Sequence, residues 1–169
     1  MRRPVWIVNL VLLCALGVAG CGSGSTQADG TSKAATTDQP AASVVLERAV
    51  RKAVNQNHEL LTRALLTNRV PANTEGTAGP ALAVLRRSAA ERRAQKIKVR
   101  ILSETFHMRS VRLDPSYTSA TVGVRNVQRL RVSRGGKSGA PSTVHEHVRL
   151  TLHRVGNSYR FVVWKVALL

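Results

Sequence analysis

Residues 97–113 read IKVRILSETFHMRSVRL, and their phase decides the fold. Ile97, Val99 and Ile101 alternate with Lys98 and Arg100. Leu102, Phe106 and Met108 then carry the apolar phase, with Ser103, Thr105 and His107 between them, and the phase returns to Val111 and Leu113. A period of two is the signature of a strand. A phase slip inside a long strand predicts a β-bulge, which bends it. Asp114-Pro115-Ser116 is a turn signal, so the chain doubles back.

Three more strands follow. Ala120, Val122, Val124, Leu130 and Val132 share one phase, opposite Thr121, Gly123, Arg125, Arg129 and Arg131. Residues 133–143 (SRGGKSGAPST) read as a flexible loop. Val144, Val148, Leu150 and Leu152 form the next strand, opposite His145, His147, Arg149, Thr151 and His153. Gly156-Asn157-Ser158 turns the chain into YRFVVWKVAL, apolar on both faces and expected to be central or well covered.

Upstream, the period is helical. Val45, Leu46, Ala49, Val50, Ala53, Val54, Asn57, Leu60, Leu61, Ala64 and Leu65 recur at steps of three and four, with charged residues on the other face. This predicts an amphipathic helix, with a break near Asn55–Asn57 and an end at Pro71. Ser43, or Asp38 before Pro40, is positioned to cap its start. Pro80 opens a second helix, where proline is tolerated. Ala81, Leu82, Leu85, Ala89 and Arg92 mark its inner stripe.

Helices followed by antiparallel strands mean an α+β domain, here N-terminal helices packed on a bent four-stranded antiparallel sheet. Element order, the bent first strand and the closing Gly-Asn-Ser-Tyr-Arg-Phe-Val-Val-Trp-Lys-Val together resemble the NTF2-like (cystatin-like) superfold over residues 43–169. The resemblance implies an inward tryptophan on the last strand, Trp164. It also implies a cone between helices and sheet, where enzymes of the superfold place an acid or a histidine. Actinobacterial lipoproteins and transport accessory proteins use this fold without catalysis, an analogy at the level of fold.

The N-terminus locates the protein. Arg2 and Arg3 precede an apolar run from Val5 to Val18, shorter than the ~20 residues of a spanning helix, and small residues close it. This is the three-part pattern of a secretory signal. Val18-Ala19-Gly20-Cys21 resembles the bacterial lipobox, which implies cleavage before Cys21 and a diacylglyceryl group on its sulfur. Two acyl chains suffice for stable anchoring. The expected division is a lipoprotein signal peptide over 1–20, lipidated Cys21 and a flexible linker over 21–42, and the domain over 43–169. Residues 22–42 contain no large apolar side chain and cannot build a core. Of the two cysteines, Cys14 and Cys21, the first lies in the segment to be removed, so no disulfide is expected in the mature domain. These features place the protein at the cell membrane, lipid-anchored on its extracytoplasmic face.

Formal charge is +17, from 26 Lys and Arg against 9 Asp and Glu. An anionic partner is one reading: phospholipid, wall polymer or an envelope protein. A GC-rich genome that favours arginine codons is the other. Export makes nucleic acid an unsuitable partner. Attraction to anionic lipid contributes ~1 kcal/mol per basic residue near the surface.

Catalytic chemistry is sparse. Gly136-Lys137-Ser138 carries the end of a phosphate loop, but Arg131 stands where the loop needs its first glycine and a strand follows rather than a helix. His145 and His147 share a strand face about 7 Å apart. His107 is a conceivable third zinc ligand, but a solvated His/Arg face is the simpler reading and no metal or other cofactor is expected. Glu104 falls on an apolar phase. Either a bulge turns it to solvent, the favoured reading, or it is buried or paired with an arginine. Asn126 and Gln128 share the apolar phase of their strand, lining a polar pocket or lying past the sheet edge.

Two functions remain. The first is a non-enzymatic accessory module presenting a basic sheet face of Arg125, Arg129, Arg131 and Arg149. The second is a small-ligand carrier or enzyme with Glu104, Asn126 and Gln128 in the cone.

Overall fold

The computed structural model describes residues 39–169. The expected signal peptide, Cys21 and most of the expected linker lie outside the described residues. Two helices, α1 (Gln39–Thr67) and α2 (Gly79–Ala94), precede β1 (Ile97–Leu113), β2 (Ser119–Arg134), β3 (Lys137–Ser138), β4 (Ser142–Arg154) and β5 (Phe161–Leu168). The fold is α+β. The sheet is antiparallel in the order β1-β2-β4-β5, with the two-residue β3 paired to the end of β2.

Both phase slips of β1 are bulges. The register with β2 skips one residue between Ile101 and Ser103 and one between Met108 and Ser110. Leu102 and Arg109 are the extra residues. An extra residue reverses the alternation, so Val99 and Ile101, then Glu104, Phe106 and Met108, then Val111 and Leu113 all face the helices. Leu102, expected on the apolar phase, is 38% exposed because it sits on the bulge itself.

Helix α1 runs unbroken through Asn55–Asn57, ends at Thr67 before Pro71, and begins at Gln39 so that Ser43 lies inside it. It has no break because Asn57 is held from the side: its Nδ2 donates to Thr77 Oγ1 at 2.7 Å, both buried. Asn68, the residue just past the helix, has a left-handed φ of +54; asparagine tolerates that conformation at a helix C-terminus. Leu46, Val50, Ala53 and Val54 of α1 pack on Ala120, Val122, Val124, Leu150, Leu152, Phe161 and Val163 of the sheet. A second cluster joins Leu60 and Ala64 to Leu85 of α2. Among the described residues every buried one falls between Leu46 and Val163, and together they form the core of residues 39–169.

Arg92 belongs to the inner stripe of α2 and is 5% exposed. Its Nε donates to Asn68 Oδ1 (3.1 Å), Nη1 to Ser88 Oγ (2.7 Å) and Nη2 to Ala64 O (3.2 Å). Burial holds this guanidinium below its ordinary value. A cation at the last carbonyls of α1 meets the negative end of that helix, so Arg92 ties the two helices together.

Two expectations for the closing region need correction. Strand β5 is an edge, not central, and its free side is partly covered: Val163 bridges Thr77 in parallel, with Ala78 N–H donating to Val163 O and Val163 N–H to Gly76 O. Trp164 is 41% exposed rather than inward. Leu152 pairs with Val163 and Thr151 with Lys165, leaving Trp164 as the bulged residue. Phe161 and Val163 take the inner positions, and the indole lies over Gly79 at the start of α2, with its ring 5.5 Å from His153. Residues 133–143 also hold structure. Gly135 and Gly136, both with positive φ, turn β2 into β3. That pair of left-handed residues is the chemistry of a two-residue hairpin turn, so Lys137-Ser138 lies in a strand.

Candidate functional site

The sheet presents two chemically opposite faces. The outer face is cationic. Arg125, Arg129 and Arg131 of β2 and Arg149 of β4 alternate with core residues and so point away from the helices, as do Arg100 and Arg112 of β1. Pairing of β2 with β4 sets the expected arginines on one surface. Arg100 stands directly opposite Arg131. His107 faces Arg125, which on its other side faces His147. The two strand carboxylates, Glu104 and Glu146, are both on the inner face. Among the described residues no carboxylate pairs with any of these six arginines. Like charges opposite one another destabilise a sheet; here only solvent or an anionic partner relieves them.

The three histidines do not converge. His107 and His147 are separated by the whole width of Arg125 between them, and His145 lies on the next outward position of β4. No group of three His, Cys, Asp or Glu residues among the described residues is arranged to hold a metal ion.

On the inner face Glu104 pairs in register with Gln128, and Phe106 with Asn126, which pairs in turn with Glu146. Gln128 and Asn126 are each 8% exposed, inside the sheet rather than past its edge. The first bulge expels Leu102 and leaves Glu104 facing inward, contrary to the favoured reading. Its partners are not arginines. Gln128 Nε2 donates to Glu104 Oε1, and His58 Nε2 of α1 lies 3.5 Å from Glu104 Oε2. The His58 ring stacks on Phe106, centroids 4.0 Å apart and planes 20° from parallel. Asn126 Nδ2 reaches Glu146 Oε2 at 3.4 Å, while Asn126 Oδ1 is buried with no hydrogen-bond partner. Burial pushes the Glu146 carboxyl above its ordinary value and the charge of Glu104 adds to this; the Asn126 hydrogen bond and His58 oppose them.

The sequence groups Glu104, Asn126 and Gln128 as one alternative; the structure sets them on neighbouring inner positions and adds His58 and Glu146, which periodicity alone does not single out. Glu146 is legible only as an inner-face residue, because it shares the phase of Val144 and Val148. His58 stands beside Asn57 and four residues after Val54, at the margin of the buried stripe, where periodicity does not assign a side.

One open cleft lies against the C-terminal half of α1 and another against α2. The first is lined by Gln56, Glu59, Leu60, Arg63, Pro71, Asn73 and Glu75, the second by residues 68–70 with Arg86, Ala89, Ala90 and Arg93; neither is lined by Glu104, Asn126 or Gln128. No described helix is long and apolar enough to cross a membrane.

No protein-family model and no curated protein matches the chain significantly. Among solved structures it is similar to the intermembrane-space region of the chloroplast protein ARC6, at 13% identity and a TM-score of 0.55, over 72% of this chain and 95% of that one. At that identity the likeness is one of fold.

Proposed function

We propose that this chain is a membrane-anchored extracytoplasmic lipoprotein whose domain acts without catalysis, as an accessory module that offers its basic sheet face to an anionic partner. The carrying observation is the segregation of charge: six arginines on the outer face with no strand carboxylate among them. Such a face attracts anionic lipid, wall polymer or an acidic envelope protein. The anchor rests on the lipobox-like Val18-Ala19-Gly20-Cys21. The neighbour in fold is also named for a space between membranes, which supports an envelope role by analogy alone. Cys21→Ser should abolish metabolic labelling with fatty acid and either release the domain or stall the precursor. Processed Cys21→Ser protein that stays on the membrane would sink the lipoprotein reading.

A second reading has its own support. Glu104, Asn126 and Gln128 converge with His58 and Glu146 on the inner face, as a small-ligand carrier or an enzyme would need. A small molecule retained by the native protein in mass spectrometry, and lost in Glu104→Gln, would favour it.

A further inference from the structure

The outer face has an aromatic border. Trp164 lies exposed on the β5 bulge, beside His153 and next to Lys165, which stands opposite Thr151 on the outward phase of β4. An exposed tryptophan beside basic residues is the composition of protein surfaces at the membrane–water boundary, where the indole ring sits among headgroups and its N–H stays hydrated. Resting on the reading of the chain as exported and anchored, we propose that the outer face of β1, β2 and β4, bordered by Trp164, docks on an anionic phospholipid bilayer. Arginine pairs with phosphate through two parallel hydrogen bonds. The Arg100–Arg131 pair and the His107–Arg125–His147 row place cationic and imidazole groups at strand spacing, about 5 Å, across a face about 40 Å long. A soluble polyanion would neutralise the arginines equally well, but it offers Trp164 no apolar layer to enter. The indole therefore favours lipid over a wall polyanion; nucleic acid, on whose bases an indole would stack, is set aside by the export on which this reading rests.

Reach permits the contact. From Cys21 to Gln39 is 39 − 21 = 18 residue steps, an upper limit of about 60 Å. That exceeds the helix and sheet layers, each about 10 Å thick. The domain can therefore turn its sheet toward the bilayer although α1 covers the opposite face.

The test uses residues 39–169, in which Trp164 is the sole tryptophan, Trp6 being the other in the chain. Co-sedimentation is measured with phosphatidylcholine vesicles, with and without phosphatidylglycerol, at low and high salt, while Trp164 emission and acrylamide quenching are recorded. The expected result is binding to the anionic vesicles only, weakened by salt, with a blue shift and protection from quenching. The combined Arg125→Ser, Arg129→Ser, Arg131→Ser variant should bind about tenfold or more weakly. Trp164→Ser should weaken binding while leaving its salt dependence in place. Equal binding by the triple variant and the parent, or binding with unchanged emission, would overturn the proposal. So would binding to soluble polyglutamate with none to vesicles, which would assign the face to a polyanion. The fragment lacks Cys21, so its result is independent of the anchor. Absence of fatty-acid labelling in the unmutated full chain, with vesicle binding by the fragment intact, would sink the anchor alone.

Discussion

Glu146 shows what a single carboxylate does in this sheet. It lies on the inner face with one long hydrogen bond from Asn126, near the negative charge of Glu104, and its carboxyl is held above the usual range. A raised folded value means that the folded state binds the proton more tightly than the unfolded chain does. The stability that this group contributes is therefore fully present below the unfolded value, about 4.3, and is lost as pH rises through the raised one. Glu146→Gln should remove that decline. Its amide supplies an N–H for the unpartnered Asn126 Oδ1 and keeps an acceptor for Asn126 Nδ2. The expected gain at neutral pH is about 0.5–1 kcal/mol, at the low end for an imperfectly bonded buried group because Glu146 retains some solvent. Thermal melts of both proteins at pH 4 and 7 check it; a variant less stable than the parent at pH 7 would contradict the account. Asp114 shows the opposite sign. It accepts from Ser119 Oγ (2.5 Å), Ser119 N–H (2.7 Å), Ser116 Oγ (2.9 Å) and Thr118 N–H (3.1 Å), which hold its carboxyl far below the usual range and close the β1–β2 turn.

At the scale of elements, the segment from Gly76 to Ala78 matters most. It is clamped between α1 and the edge of β5. Gly76 has a φ of +82, and a Cβ there would lie 2.7 Å from Ala53 O and 2.7 Å from Gln56 Cβ. The first is backbone of a long helix and cannot yield. Gly76→Ala therefore combines a left-handed conformation with a clash, and should destabilise the domain by about 2–4 kcal/mol. Chemical denaturation reads this directly, and a loss below about 0.5 kcal/mol would show that the segment is free to move off α1. The same clamp explains how an apolar edge strand is tolerated. Its N–H and C=O groups at Val163 are taken by Gly76 and Ala78, which leaves less open edge for another chain.

At the scale of the molecule, charge dominates. Arg2, Arg3, Lys33, Asp29 and Asp38 precede Gln39, so residues 39–169 hold 26 − 3 = 23 basic and 9 − 2 = 7 acidic side chains, a formal +16. Self-repulsion of such a charge opposes compaction. Salt shortens the screening length from about 30 Å at 0.01 M to about 8 Å at 0.15 M. The fragment should therefore gain about 1 kcal/mol of stability over that range through relief of cross-strand like-charge pairs. A melting temperature that falls with added sodium chloride would show that attractive ion pairs prevail. Salt then has opposed effects: it steadies the isolated domain and loosens its contact with an anionic surface.

The amino-acid order alone determined the two helices and four long strands, the two phase slips of β1, the shared phase of Arg125, Arg129 and Arg131, and the placement of Asn126 and Gln128 on the core phase. These are local matters, set by periods of two and 3.6 and by phase slips legible in one strand. Where Trp164 points, whether Glu104 faces in, and that His58 closes over Phe106 were decided by tertiary structure. Each depends on where a bulge falls in the register with a neighbouring strand, or on which margin of α1 the sheet covers. A single extra residue moves a side chain from one face to the other, and only the partner strand fixes which residue is extra.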